Sequence, residues 1–426
     1  MKKSSHFPRL ALIICILAAA FYMYEFTLQV SLGVMTSELM RDLGLNAASL
    51  GLASAFYYYA YTPMQIPAGL LHDRFGPRRT LTVAILTCAS GALCFSFSKG
   101  LVDASFGRFL MGIGSAFSFS GALMLIARWF RPQHFAVLSG LVQLMSSVGA
   151  IGGEVPLAVA IQHWGWRHSM IWLGFFGIAL ACIVWLVVRD FPEKQSTPAA
   201  STVTTHEHAD MFPKLKFIFG RAHVWWTAAY SFLIWAPIAA FAGLWGIPFL
   251  ASAYHLTTES ASIACATIWV GIGLGSPLSG WLSEHIERRC VILATCAVMG
   301  TIGSIGVIYL TVSMPVLYFL LFLLGLAGGG QSLAFCVVRD NSHPRSIGAA
   351  IGLNNMATVA GGAILQPIIG YLLYKNWNGG MMGQTPVYSV HDYRAALVMI
   401  PLCYILAMIV SMKCLKETYC RQQFPF

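Results

Sequence analysis

The sequence predicts an all-α integral membrane protein whose twelve transmembrane helices form two pseudo-symmetric six-helix bundles. Three observations predict this. Only 10% of the 426 residues are charged while 57% are hydrophobic, and mean hydropathy is +0.70. Twelve apolar runs are each long enough to cross a bilayer. The second half of the chain repeats landmarks of the first at a constant offset of 211 residues. Soluble domains carry roughly 25% charged residues, and a water-soluble globule could not hide this much apolar surface. Cytosolic catalysis and nucleic-acid binding are therefore disfavoured.

The runs lie at about 10–38, 49–71, 80–98, 101–127, 135–161, 168–188, 223–250, 258–282, 290–312, 315–338, 346–374 and 394–412, here spans 1 to 12. A hydrocarbon core of about 30 Å needs about 20 residues of helix. Span 1 is long, carries polar residues and has no small-residue cleavage site before Glu25, so it reads as part of the mature protein and not as a signal peptide. With the N-terminus inside, twenty of the 26 Lys and Arg fall on the cytoplasmic side. Arg41, Lys99, Arg108, Arg167, Lys375 and Arg394 remain outside or near the outer face. This split predicts a multi-pass inner (plasma) membrane protein with both termini cytoplasmic. It also accounts for the net charge of +10 without an anionic partner.

A polar stretch rich in Ser, Thr, Pro and Ala, with His206 and His208, falls between spans 6 and 7. It reads as a flexible linker, giving an N-terminal bundle at 1–189, a cytoplasmic linker at 190–221 and a C-terminal bundle at 222–426. A second polar loop, Trp377–Tyr393, is expected to face outward. Most of the eleven cysteines lie inside apolar runs without paired spacing, as small hydrophobes do. Neither a metal site nor a cofactor is expected. No nucleophile–base set suggests an enzyme.

The repeat places Gly69 on Gly280, Asp73 on Glu284, Arg78 on Arg289, Gly114 on Gly325, Arg128 on Arg339, Gln143 on Asn354 and Pro156 on Pro367. The matches fall at equivalent places in the two halves: the loops after spans 2 and 8, spans 4 and 10, and spans 5 and 11. Two parallel six-helix halves with a midplane site between them is a repeat architecture of secondary transporters.

Three motifs stand out. The loop after span 2 reads Gly69-Leu70-Leu71-His72-Asp73-Arg74-Phe75-Gly76-Pro77-Arg78-Arg79. Gly69 would let span 2 approach a neighbour, Asp73 could cap a helix or accept from an arginine, and Gly76 permits a tight turn. Plain topology signalling would explain the arginines but not Gly69, Asp73 and Gly76 at these spacings. The second copy keeps Gly280, Glu284, Arg288 and Arg289 but has Glu287 in place of the glycine. Span 4 carries Arg108-Phe109-Leu110-Met111-Gly112-Ile113-Gly114-Ser115-Ala116. Its small residues allow close packing, and its arginine should face the interior. Span 5 has Gly140, Gly149 and Gly153, followed by Glu154.

These motifs resemble those of the major facilitator superfamily: the G-x-x-x-D-R-x-G-x-R-R loop signature matches at every key position, and span 4 matches R-x-x-x-G-x-G-x-A. The resemblance covers essentially the whole chain. It implies that Gly69, Asp73, Arg74, Gly76, Arg78 and Arg79, with the weaker copy Gly280, Glu284, Arg288 and Arg289, form a conformational latch. It links Arg108 with proton coupling, and implies that an acid in span 1, Glu25, pairs with it. The drug/proton antiporters of the superfamily have Gly-Pro where this chain has Gly153-Glu154, which weakens an export reading.

Three ionisable groups lie well within spans. At about 1.5 Å per residue, Glu25 sits about 22 Å and Arg108 about 21 Å from the inner face, and Glu154 about 28 Å up, nearer the outer rim. Burial disfavours the charged form of a carboxyl and a nearby arginine favours it, so Glu25 is a candidate proton carrier. The alternative is a permanent, purely structural ion pair with Arg108. Glu154 is a candidate proton or substrate site, or else a solvated rim residue.

Helical spacing marks a cavity lined by Tyr22 and Gln29 of span 1, Tyr58 and Tyr61 of span 2, Gln143 of span 5 and Asn354, Asn355 and Gln366 of span 11. Trp235 and Trp245 of span 7 suggest an aromatic wall and gate, or else packing. Span 7 has no basic residue and span 1 has Gln29 where phosphate exchangers of the superfamily use arginine, so phosphate and nitrate are disfavoured. The expected function is alternating-access transport of a small polar organic solute by a monomer in the lipid bilayer, with proton-coupled import (symport). Proton-antiport export of metabolites or drugs is the alternative, and a non-transporting membrane sensor a remote one.

Overall fold

The computed structural model describes residues 9–191, 222–342, 347–383 and 385–420. The expected linker therefore lies outside the described residues except for its first two positions. So do Lys2, Lys3, His206 and His208.

Span 1 is α1 (Arg9–Val30) and a 3-10 turn (Ser31–Val34), followed by a short helix α2 (Thr36–Leu43). Span 2 is α3 (Ala47–Phe75), span 3 α4 (Pro77–Ser96), and span 4 the pair α5 (Leu101–Ser115) and α6 (Ser118–Trp129). Spans 5 and 6 are one element, α7 (Pro132–Val187), broken at Gly165 with φ 76° and ψ 159°. Span 7 is α8 (Ala222–Ala240), a π-helical segment (Phe241–Trp245) and α9 (Gly246–Tyr254). Spans 8 and 9 are α10 (Thr258–Ile286) and α11 (Arg289–Tyr309). Span 10 is α12 (Met314–Ala327) with α13 (Gly329–Asp340), and span 11 is α14 (Ile347–Asn376). A two-stranded hairpin, β1 (Met381–Met382) and β2 (Thr385–Pro386), precedes span 12, which is α15 (Val390–Ala396) and α16 (Met399–Lys413).

Ten stretches of the described residues have the length and hydropathy of a membrane span. The break at Gly165 splits one of them into two crossings. Adding α3, whose four tyrosines and charged end lower its hydropathy, completes the twelve. Span 1 ends earlier than the sequence suggests because its last turn tightens and the chain bends into α2. The expected loop between spans 5 and 6 shrinks to one left-handed glycine. Breaks fall at matching places, after Ser115 in span 4 and after Ala327 in span 10.

The start signals are local. Asn46 and Ser49 form a capping box at α3, and Ser389 and Asp392 form another at α15. Proline opens α4, α7 and α12, where its missing N–H has no helical partner to lose.

The two bundles pack alike. Span 1 lies on span 5 as span 7 lies on span 11, and spans 3 and 9 each lie against the fourth and sixth helices of their bundle. Spans 3 and 9 are also clamped alike at both ends. We call the side where α1 begins the terminal face and the opposite side the loop face. At the terminal face Asp190 accepts from Arg78 N (2.9 Å), and Glu417 accepts from Arg289 N (2.7 Å) and Cys290 N (2.9 Å). At the loop face Arg167 donates to the carbonyls of Ser96 and Ser98 (both 2.8 Å), and Arg394 donates to Ile308 O (2.9 Å). Acids thus sit at helix N-termini and bases at C-termini, as the helix dipole favours.

Between the bundles, span 2 packs along span 11 and span 5 along span 8. Near the loop face the first pair is close: Gly51 faces Gln366 O, with an added Cβ at 2.7 Å, and Gly370 faces Ala47 O. Across the interface the Tyr388 hydroxyl oxygen accepts from Ala47 N at 2.9 Å, one of the helix-start donors that α3 cannot satisfy internally. Toward the terminal face, a Cβ on Gly140, Gly280 or Gly352 would meet nothing within 4 Å. The close backbone approaches between the two bundles thus lie toward the loop face.

Candidate functional site

Glu25, midway along α1, is fully buried. Its Oε1 accepts a 2.5 Å hydrogen bond from the Tyr57 hydroxyl of α3, and its Oε2 has no hydrogen-bond partner. Arg108 of α5 is also fully buried. Its guanidinium carbon stands 4.6 Å from the centroid of the Tyr57 ring, and its terminal nitrogens donate to Leu28 O (2.7 Å) and Gln29 O (3.1 Å).

The expected ion pair between Glu25 and Arg108 is therefore not formed. Among the described residues the ion pairs are Arg41–Asp42, Arg289–Asp340 and Arg339–Asp340. Helical rise puts the two groups at one level, but Tyr57 stands between them. Arg108 instead satisfies carbonyls in the last turn of α1, which have no intrahelical partner. Sequence reasoning missed Tyr57 because it lies in the run Tyr57-Tyr58-Tyr59, where nothing local says which ring points inward.

Glu154 is not a rim residue. It is fully buried, and its Oε1 accepts a 2.6 Å hydrogen bond from Trp269 Nε1 of span 8, while Oε2 has no partner. The helix continues to Gly165, which puts Glu154 about 16 Å below its loop-face end at about 1.5 Å per residue. Trp269, unflagged by the sequence, makes this a contact between bundles.

Of the other expected cavity residues, Tyr22, Tyr58 and Tyr61 lie near Glu25, and the rest are held by contacts of their own. Tyr22 donates to Gln143 Oε1 (3.3 Å) and packs on Phe26 and Phe119. Tyr61 stacks on Tyr57 with centroids 5.8 Å apart. Tyr58 lies against Gly362 and close to Gly243, so spans 2, 7 and 11 meet there. Gln29 is buried nearby. Gln366 donates to Ala239 O (2.8 Å), and its carbonyl oxygen Oε1 is buried without a partner. The buried Asn354 accepts from Ser231 (2.9 Å) and leaves its amide nitrogen free. Asn355 is half-buried. Trp235 is buried, and Trp245, at the end of the π-helical segment, donates to the Gln366 backbone carbonyl (3.1 Å). Buried amides with unmatched polar atoms suit a ligand that brings hydroxyl or carboxyl groups.

The residues expected to form a latch lie at the terminal face. Gly76 has φ 79°, and an added Cβ would meet the Asp190 carboxylate at 2.7 Å. Arg78 donates to Trp185 O (2.8 and 2.9 Å) and lies over the Trp185 ring, all within its own bundle. Arg74 lies over the Phe75 ring. Two expectations fail here. Gly69 and Gly280 approach no neighbour, since a Cβ on either would meet nothing within 4 Å. Asp73 accepts no hydrogen bond among the described residues; the capping carboxylate is Asp190, brought in from the end of span 6. Arg79, Glu284 and Arg288 likewise form no ion pair among the described residues. In the second bundle Arg289 is buried and paired with Asp340 at 3.1 Å, an acid the sequence did not mark.

Comparison with known proteins agrees with this architecture. The hexuronate transporter of Bacillus subtilis is 23% identical over 359 residues, covering 80% of this chain and 83% of its own. The D-galactonate transporter of Escherichia coli O6:H1 is 24% identical over 383 residues, covering 80% and 84%. The solved structure of a D-xylose-proton symporter superposes with a TM-score of 0.75 at 14% identity, covering 96% of this chain and 99% of that one. The sequence profile of the Major Facilitator Superfamily matches residues 10–246 and 238–419, so the chain belongs to that superfamily of secondary transporters.

Proposed function

We propose that this protein is a proton-coupled symporter of a small hydroxylated carboxylate of the sugar-acid kind, working as a monomer. The observation that carries the proton coupling is Glu25, a fully buried carboxyl with one oxygen on Tyr57 and the other unpartnered. An acid kept within the membrane costs free energy, which makes it a functional candidate. The substrate class rests on the buried phenols and amides, which suit hydroxyl groups, and on the acids that the hexuronate and galactonate transporters are named for.

The terminal face reads as the cytoplasmic one, because twelve of the eighteen described Lys and Arg lie at helix ends on that side. Close packing of the bundles toward the loop face supports reading this arrangement as the inward-open state of an alternating-access cycle. The rocking bodies are residues 1–189 and 222–426, joined by the linker at 190–221. Gly76, Arg74, Arg78 and Arg79 belong to the latch that closes the inner side. Glu154 and Trp269 hold the bundles together in the state described here.

The test is proton flux into proteoliposomes loaded with a pH dye. Hexuronates, aldonates, aldarates and neutral hexoses are added outside in turn, to wild type and to Glu25→Gln. Lumen acidification with the acids, lost in Glu25→Gln, is expected. Lumen alkalinisation on solute entry would overturn symport in favour of exchange, and a response to hexoses alone would overturn the substrate class.

A further inference from the structure

Tyr57 touches both Glu25 and Arg108: its hydroxyl donates to the carboxyl at 2.5 Å and its ring carries the guanidinium at 4.6 Å. Arg108 in turn holds the carbonyls of Leu28 and Gln29, in the last turn of α1. The next residues tighten into the 3-10 turn Ser31–Val34. In that turn Gly33 lies against the π-helical segment of span 7, where an added Cβ would be 3.6 Å from the carbonyls of Gly243 and Leu244. An unbroken series of buried contacts therefore joins Glu25 to the closure of the two bundles at the loop face.

We infer that Tyr57 is a positioning residue that transmits the protonation state of Glu25, through Arg108 and the end of α1, to the loop-face closure against span 7. The inference rests on reading Glu25 as the proton carrier. With Glu25 ionised, the Tyr57 hydroxyl donates a charge-assisted bond, which is roughly twice as strong as a neutral one. That bond fixes the ring on which Arg108 lies. With Glu25 protonated, the charge assistance is gone and the carboxyl can itself donate. The ring is then free to shift, and the guanidinium with it, releasing the carbonyls of α1. The titratable groups around Glu25 are Tyr22 on its own helix, Tyr57, Tyr58 and Tyr61 on span 2, Cys88 on span 3 and Arg108 on span 4. Of these Arg108 is the cation; Tyr57 lies against it and bonds Glu25, and Tyr58 lies near both.

The test needs no substrate. Fluorophores are attached through non-natural amino acids at Phe97 and Leu310, exposed loop-face positions at the ends of spans 3 and 9. Energy transfer between them is followed in nanodiscs from about pH 5 to about pH 9, a range chosen for buried carboxyls. The full-length wild type should change its loop-face distance with pH, and Glu25→Gln should not. In Tyr57→Phe, which keeps the ring, the factor by which pH changes the open-to-closed ratio should fall about tenfold, a coupling change of about 1.4 kcal/mol. Arg108→Lys, which keeps the charge but lacks the planar fork, should show the same loss. A wild-type response in Tyr57→Phe, with Glu25→Gln flat, overturns the role of Tyr57 and leaves the proton-carrier reading standing. A response that persists in Glu25→Gln, or is absent from wild type, overturns both. If Tyr57→Phe is flat but Arg108→Lys responds normally, the route through Arg108 is overturned.

Discussion

Trp269 of span 8 donates its indole N–H to the buried carboxyl of Glu154 in span 5 at 2.6 Å, a polar bond made across the boundary between the two bundles. Phe26 of span 1 packs edge-on against the same indole, with centroids 6.1 Å apart. The bond links the bundles only while they are arranged as described, so rocking must strain or break it.

Trp269→Phe keeps an aromatic ring but removes the donor, leaving a buried carboxyl with both oxygens unpaired. That costs about 1–3 kcal/mol. The variant should unfold at lower temperature in detergent and favour a parted loop face in energy-transfer measurements. Glu154→Gln should be milder in both assays, since an amide can still accept from the indole. Equal stability of wild type and Trp269→Phe would show that the bond contributes nothing.

Tyr388 reaches from the segment before span 12 to the first turn of span 2, where its hydroxyl oxygen accepts the Ala47 N–H. Tyr388→Phe deletes that acceptor and little else. A single net hydrogen bond is worth about 1 kcal/mol, or about a fivefold change in an equilibrium. The expected outcome is a fivefold rise in the ratio of loop-face-open to closed protein, read by energy transfer between fluorophores at the exposed positions Phe97 and Leu310. A wild-type ratio would remove Tyr388 from the closure.

Asp340 accepts from Arg289 at 3.1 Å, with both side chains at 3% exposure or less, and also accepts from Arg339 at 3.3 Å. Removing one partner of a buried pair costs about 3–5 kcal/mol, because the other charge stays behind. Asp340→Asn should therefore lower the yield of folded protein and its melting temperature strongly. Glu284→Gln, at an exposed position marked by the loop motif, should stay within about 0.5 kcal/mol of wild type. Thermal scans of the two variants side by side decide it, and a larger loss in Glu284→Gln would reverse the assignment.

The class of protein, its twelve spans and its two-bundle repeat were legible because each is written in composition and in spacing along the chain. Apolar length reports a crossing wherever the helix lies, and a constant offset reports a duplication whatever its packing. The interior acids were legible for the same reason, since a carboxyl inside an apolar run is costly in lipid. Their partners were not. Tyr57 is one of three adjacent tyrosines, Trp269 lies 115 residues from Glu154, and Asp190 lies 112 residues from the Arg78 backbone it caps. Sequence by itself determined which groups must be satisfied within the membrane. Only the tertiary structure decided which neighbour satisfies each, because helix rotation and crossing choose among side chains that are equivalent along the chain.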